Sequence, residues 1–333
     1  MRDDLPNRLL TISKTIKKII MKENVERKFI PVMLTPFKED GKIDLNGLSE
    51  IIELYLHAGA KGLFANCQSS EMFHLSDEER LLIVRHTLKI TDGRVPVVAV
   101  GNFGTTIAEQ ADFIHKIYGT GVKAVIIVTG LIAEENESDE VFNERIFELF
   151  NLTGQIPLGF YECPEPYKRV LSAEQLEKFV ATGRIIYHKD TCLDIEMIKD
   201  KLKATNDVDS FGLYDAYAVN AVASLEAGAA GLSCIQGNFF PELIVWLCDH
   251  FDDINANGSV GKVQQFLTDH MDVIHHAYPI VAKYYLQKRG INISTFTRTN
   301  TEDFTLEVKN NVDILYDKYN LLQKELKAEL SLQ

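Results

Sequence analysis

Arg184-Ile185-Ile186-Tyr187-His188-Lys189-Asp190 reads as a buried strand that ends in a lysine. A run of apolar and β-branched residues between turn signals is the signature of such a strand. A cationic head at the end of it is costly unless it is paired or kept neutral. Two readings follow. Lys189 pairs with Asp190 or another acid at the rim, or it is a desolvated amine poised to attack a carbonyl and form a Schiff base.

Working outward, strand and helix alternate from Phe29 onward. The expected strands are Phe29–Thr35, Leu63–Asn66, Val95–Val100, Ala124–Val128, Ile156–Tyr161, the lysine strand, Val208–Leu213 and Ala230–Ile235. Helix-start signals stand between them: Asp44, the capping box Ser76-Asp77-Glu78-Glu79, Thr105, Asp139, Ser172 and Leu193. The strands are near-continuous apolar runs, as in a parallel sheet covered on both faces. Eight βα units spaced by roughly 25–35 residues predict a (β/α)8 TIM barrel over residues 28–254. Residues 255–333 show two helical patterns split by a loop from Gly290 to Thr301 and predict a C-terminal helical extension. A doubly wound sheet is the competing fold, but no GxGxxG follows a strand, so nothing points to a dinucleotide cofactor.

Residues 1–27 stand apart. Leu9, Leu10, Ile12, Ile16, Ile19 and Ile20 are spaced like a short amphipathic helix with lysines between them. The spacing fits a membrane-surface or transit segment, or an extra helix or tail ahead of the barrel. Asp3 and Asp4 spoil the transit pattern and favour the second reading.

Composition narrows the function. The 333 residues are 46 % hydrophobic and carry 35 Lys and Arg against 48 Asp and Glu, a net charge of −13. An acidic surface argues against nucleic acid as a partner. No apolar run approaches bilayer length, and no secretory h-region follows the first residues. Cys67, Cys163, Cys192, Cys234 and Cys248 are scattered without CxxC pairing, which implies free thiols, a cytoplasmic setting and no metal site.

In a barrel of this kind, sites sit where strands end. The polar residues there are Thr35, Gln68-Ser69-Ser70-Glu71, Asn102, Tyr161, Lys189 and Gln236–Asn238, with Ser233 in the last strand. Tyr161 and Lys189 end adjacent strands, so a phenol and an amine would lie side by side. A lysine forms the imine and a tyrosine moves the proton. The loop after the second strand offers hydroxyls and backbone N–H groups to a carboxylate. His188 faces away from Lys189 by strand alternation, as a structural histidine would.

These residues resemble the dihydrodipicolinate synthase / N-acetylneuraminate lyase family of class I aldolases. The resemblance runs from about Phe29 to Thr297. It is carried by Leu34-Thr35-Pro36-Phe37, Asp40-Gly41 with Asp44, Ser69-Ser70-Glu71, Leu75-Ser76, Val95-Pro96-Val97, Tyr161-Glu162-Cys163-Pro164, Lys189-Asp190, Gly228–Gly231 through Asn238 and Pro241, and Pro279-Ile280 with Lys283. It implies a small-molecule 2-oxo acid such as pyruvate held as an imine on Lys189, with Tyr161 as acid/base. Gln68, Ser69, Ser70 and Ser233 would bind substrate. It also implies a homotetramer.

The departures are specific. The family's glycine-threonine-threonine-glycine-glutamate loop reads Cys67-Gln68-Ser69-Ser70-Glu71, so positions that suit glycine must suit Cys67 and Ser70. The family's proline-tyrosine-tyrosine reads Thr129-Gly130-Leu131, and its arginine falls on Pro166, with Lys168 or Arg169 as stand-ins. The sequence therefore predicts an aldolase, lyase or dehydratase on a 2-oxo acid. The alternatives are a barrel that binds a small acid or sugar acid without turnover, and a synthase with a rearranged relay.

Overall fold

The computed structural model describes residues 26–299 and 302–330. The helix expected within residues 9–20 lies outside them. Eight parallel strands form one sheet: β1 Lys28–Phe29, β2 Leu63–Ala65, β3 Val97–Val100, β4 Ala124–Val128, β5 Leu158–Tyr161, β6 Ile185–Asp190, β7 Gly212–Asp215 and β8 Gly231–Leu232. Their order is β1-β8-β7-β6-β5-β4-β3-β2, and a Val32–Phe64 bridge joins the first and last strands into a ring. This is the expected (β/α)8 barrel.

Local chemistry places the ends of these elements. β1 is shorter than expected because Pro31 and Pro36 have no N–H for a ladder. β8 is short where it meets β1 closely: a Cβ at Gly231 would lie 1.8 Å from the Lys28 carbonyl oxygen. Asp44 accepts from the backbone of Asn46 and Gly47 and starts helix Leu45–His57. Ser76 and Glu79 cap each other's backbone at helix Asp77–Thr91, as do Ser172 and Gln175 at Ala173–Val180.

One expectation needs correcting. β7 is Gly212–Asp215 and not Val208–Leu213. Val208 N–H donates to Thr205 O at 3.2 Å and Phe211 N–H to Val208 O at 3.1 Å, so this apolar pair packs on the core from a turn. The helix after it is correspondingly short, Ala221–Glu226, behind a single 3-10 turn.

Alternation along β6 sorts its side chains. Tyr187 points into the barrel, stacking on Tyr214 at 4.7 Å and meeting Phe64 edge-on at 5.8 Å. His188 points outward, against Phe160. The barrel is thus floored by aromatic rings, and Tyr161 and Lys189 stand above them.

Helices Asn257–Asp269, Met271–His275, Ile280–Lys288 and Leu306–Leu330 follow the barrel. The last packs back onto it: Val312, Leu315 and Tyr319 are buried, and the Tyr319 ring lies 5.2 Å from Phe240. No helix among the described residues is long and apolar enough to cross a membrane.

Candidate active site

From Gly159 onward β5 and β6 run in register, with Tyr161 opposite Lys189. Paired residues of neighbouring strands face the same side, so both side chains enter the barrel mouth. Lys189 is 4 % exposed, and its Nζ lies 4.1 Å from the centroid of the Tyr161 ring. Among the described residues no carboxylate lies within ion-pair distance of it. Burial holds its amine below the ordinary lysine range, and the Lys168 charge adds to this. Burial likewise pushes the Tyr161 phenol well above its ordinary value. The phenol donates to Gln68 Oε1 over a long 3.5 Å, and the Cys163 thiol faces the same oxygen at 3.9 Å.

Gln68–Ser70 form a 3-10 turn after β2. The glycine-like positions expected at Cys67 and Ser70 are ordinary backbone here. The left-handed conformation falls instead on Asn66, at φ 52°, and Glu71, at φ 58°. Glu71 is locked there by Lys283 Nζ at 2.6 Å and by the backbone N–H groups of Arg298 and Thr299 at 2.6 and 3.1 Å. A strained residue persists only where its surroundings hold it in place. The C-terminal segment therefore fixes the loop that carries Gln68 and Ser69.

A cavity of about 420 Å³ opens at this end of the barrel, and Gln68, Ser69, Tyr161 and Lys189 all line it. Ser70 and Ser233 do not. The Ser70 hydroxyl donates to Met33 O at 2.6 Å. Ser233 donates to Ile30 O at 2.8 Å and accepts from Tyr187 at 3.1 Å, tying β8 to β1 and β6. Their hydroxyls hold the barrel and are not presented to the cavity.

The two candidate cations of the β5 loop part company. Lys168 lines the cavity and donates to Thr191 O at 2.9 Å. Arg169 is buried and donates to Asp139 Oδ1, Glu134 O and Glu137 O. Sequence reading missed Tyr278, whose phenol enters the cavity from the C-terminal helices and donates to Ser69 Oγ at 2.7 Å. Only the neighbouring Pro279-Ile280 pointed to that segment.

Behind the site, facing out of the barrel, Glu162, His188, Asp190 and Lys201 are fully buried together. Lys201 Nζ lies 2.7 Å from Glu162 Oε1 and 2.6 Å from Asp190 Oδ2. His188 Nε2 lies 3.3 and 3.4 Å from the same two carboxylates. Glu162, His188 and Asp190 offer ligand-type atoms within 4.8 Å of one another, but the Lys201 ammonium already bridges the acids. Burial opposes charge on His188, and Glu162 and Asp190 outweigh it and raise its pKa. The acids also accept backbone N–H groups of the loops: Leu171 and Thr191 on Glu162, Cys192 on Asp190. His188 faces this buried cluster and not the cavity, as strand alternation indicates.

The model of the dihydrodipicolinate synthetase family matches residues 26–317. The chain belongs to this family. Its curated relatives include 4-hydroxy-tetrahydrodipicolinate synthases from Hyphomonas neptunium, 24 % identical over 79 % of this chain and 88 % of the relative, and Clostridium novyi, 23 % identical over 88 % and 96 %. Its barrel superposes on dihydrodipicolinate synthase from Thermotoga maritima with a TM-score of 0.79 at 20 % identity, covering 90 % of this chain and 100 % of that one. It is equally similar to a prophage protein of the dihydrodipicolinic acid synthase family from E. coli K12, solved in complex with pyruvate: TM-score 0.79, 21 % identity, 89 % and 99 % coverage. As a dihydrodipicolinate synthetase family member, the chain shares a fold and a lyase lineage with these proteins at low identity.

Proposed function

We propose that this chain is a lyase or aldolase that forms a Schiff base between Lys189 and pyruvate or a related 2-oxo acid. The observation that carries the reading is Lys189 itself: a buried amine with no acid partner among the described residues, beside a phenol, in a cavity. Lys189 Nζ would attack C2 of the 2-oxo acid, and loss of water would leave the imine. Loss of a proton, or cleavage of a bond at C3, then gives the enamine. Tyr161, buried and protonated, would give and take the proton at the reacting oxygen. Ser69 and Gln68 would meet the carboxylate side of the substrate, and Lys168 at the mouth would attract an acidic second substrate. Pyruvate bound to the E. coli prophage protein supports the ligand class.

The structure argues against a two-tyrosine synthase relay. A Cβ at Gly130 would lie 2.4 Å from the Tyr167 carbonyl oxygen, so position 130 has no room for a phenol. Thr129 is also engaged, donating to Arg169 O at 2.7 Å. A second reading, binding without turnover, draws on Gln68: a carboxamide oxygen accepts the Tyr161 proton but does not hand one on. Incubation with pyruvate and borohydride separates the two, since only an imine is reduced to a stable adduct.

We propose a homotetramer in the cytoplasm. The free thiols support the compartment. Leu306, Ile314 and Leu321 project from the last helix and support an assembly surface. Light scattering at micromolar concentration tests this, and a monomer mass would contradict it.

A further inference from the structure

Asn238 follows β8, and Tyr278 stands just ahead of helix Ile280–Lys288, yet their side chains meet in one line that ends at Ser69. Asn238 Nδ2 donates to Val32 O at 3.0 Å. A backbone carbonyl can only accept, so this contact fixes which end of the carboxamide is nitrogen. The same Nδ2 donates to the Tyr278 phenol oxygen at 2.6 Å. Asn238 Oδ1 therefore faces the other way and accepts from Tyr55 Oη at 2.6 Å. Tyr278 is already an acceptor, and it sends its single proton to Ser69 Oγ at 2.7 Å. Tyr55 and Asn238 are fully buried, so water does not compete for the bonds that set the direction.

Ser69 is the last member. Its oxygen accepts from Tyr278, so its own proton must leave on another side, and no hydrogen bond to a described residue receives it. Ser69 lines the cavity that Lys189 enters.

We propose that Tyr278, oriented by Asn238, is a positioning residue that fixes the Ser69 hydroxyl as a donor into the cavity and so selects an anionic 2-oxo carboxylate over a neutral ketone. The identity of the ligand rests on the Schiff-base reading; the direction of the chain does not. A carboxylate only accepts, and a hydrogen bond to it is charge-assisted. A hydroxymethyl or amide oxygen in its place accepts the same proton as a neutral group, without that charge assistance.

The test is borohydride trapping on the full chain, with pyruvate and with hydroxyacetone, its neutral counterpart. In Tyr278→Phe the pyruvate concentration for half-maximal trapping should rise about tenfold, the scale of one charge-assisted bond misaligned. The maximal trapping rate and the response to hydroxyacetone should hold. In a Ser69→Ala background, Tyr278→Phe should add nothing, because it acts through that hydroxyl. Equal losses for both ketones, or additive losses in the double variant, overturn the proposal. If Tyr278→Phe does not fold, Ser69→Ala alone must show the same split between acid and ketone. A wild type that pyruvate does not label overturns both readings. A labelled wild type with an indifferent Tyr278→Phe overturns only this one.

Discussion

Asp190 is neutralised by Lys201, at 2.6 Å, and not by its chain neighbour Lys189. Strand alternation sends the two adjacent side chains to opposite faces of the sheet. Asp190 goes out to a fully buried partner on helix Ile195–Ala204, and Lys189 goes in without an acid partner among the described residues. The acid that offered the bland explanation of Lys189 is thereby removed from it. Lys201→Met should then leave Glu162 and Asp190 facing each other with only His188 between them. Removing one partner of a buried ion pair typically costs about 3–5 kcal/mol. Urea unfolding at neutral pH measures it, and a loss below about 1 kcal/mol would show that the acids do not depend on Lys201.

Burial lowers the Lys189 pKa, and the sign of the consequence is fixed. The nucleophile is the neutral amine, so its fraction rises as pH climbs through the lowered value. Trapping by pyruvate should level off below the ordinary lysine value of about 10.4. The same shift means that charge on Lys189 disfavours the folded state as pH falls through the folded pKa. Lys189→Met should therefore be at least as stable as wild type at pH 7. A trapping rate that still climbs above about pH 10 would mean an ordinary, solvated lysine.

Tyr161→Phe keeps the ring under the Lys189 amine and removes only the hydroxyl. Turnover should fall by about a hundredfold or more, the scale of a lost general acid/base. Ser69→Ala should act mainly on the 2-oxo acid concentration needed for half-maximal rate. Steady-state assays of both variants with a 2-oxo acid check this, and an indifferent Tyr161→Phe would remove Tyr161 from the chemistry.

Asp215 ends β7 beside Asp190. Its Oδ1 accepts from Tyr217 N at 2.8 Å, and its Oδ2 is buried. Burial, with the Asp190 charge adding to it, pushes its pKa up to about 7. Its unfolded value is about 3.9. Because the folded value is the higher one, its contribution to stability is complete below about pH 4 and is lost as pH rises through 7. Asp215→Asn should flatten that decline and exceed wild type in stability at pH 8. Thermal unfolding at pH 5 and pH 8 decides it; parallel profiles for the two proteins would place the titration elsewhere.

The barrel was legible in the sequence because buried parallel strands announce themselves as apolar runs, and helix caps such as Asp44 and Ser76-Glu79 mark the intervals. The adjacency of Tyr161 and Lys189 followed from strand order alone. What failed depended on chain direction in three dimensions. Val208 and Phe211 look like strand residues because a turn packed on the core needs the same apolar character. Ser70 and Ser233 carry the right group, but a hydroxyl's partner is set by which backbone carbonyl comes near. Lys168 and Arg169 are adjacent in the chain and only one faces the cavity. Tyr278 lies 209 residues from Ser69 and reaches it through helix packing, which no local pattern records.

The proposed chemistry stands on an imine at Lys189. Wild-type protein incubated with pyruvate and borohydride, digested and mapped by mass spectrometry, tests it most directly. A single reduced pyruvyl adduct is expected on the peptide that carries Lys189, lost in Lys189→Ala while the fold persists. An unmodified Lys189 with pyruvate, 2-oxobutyrate and glyoxylate alike, or an adduct that survives Lys189→Ala, would contradict it.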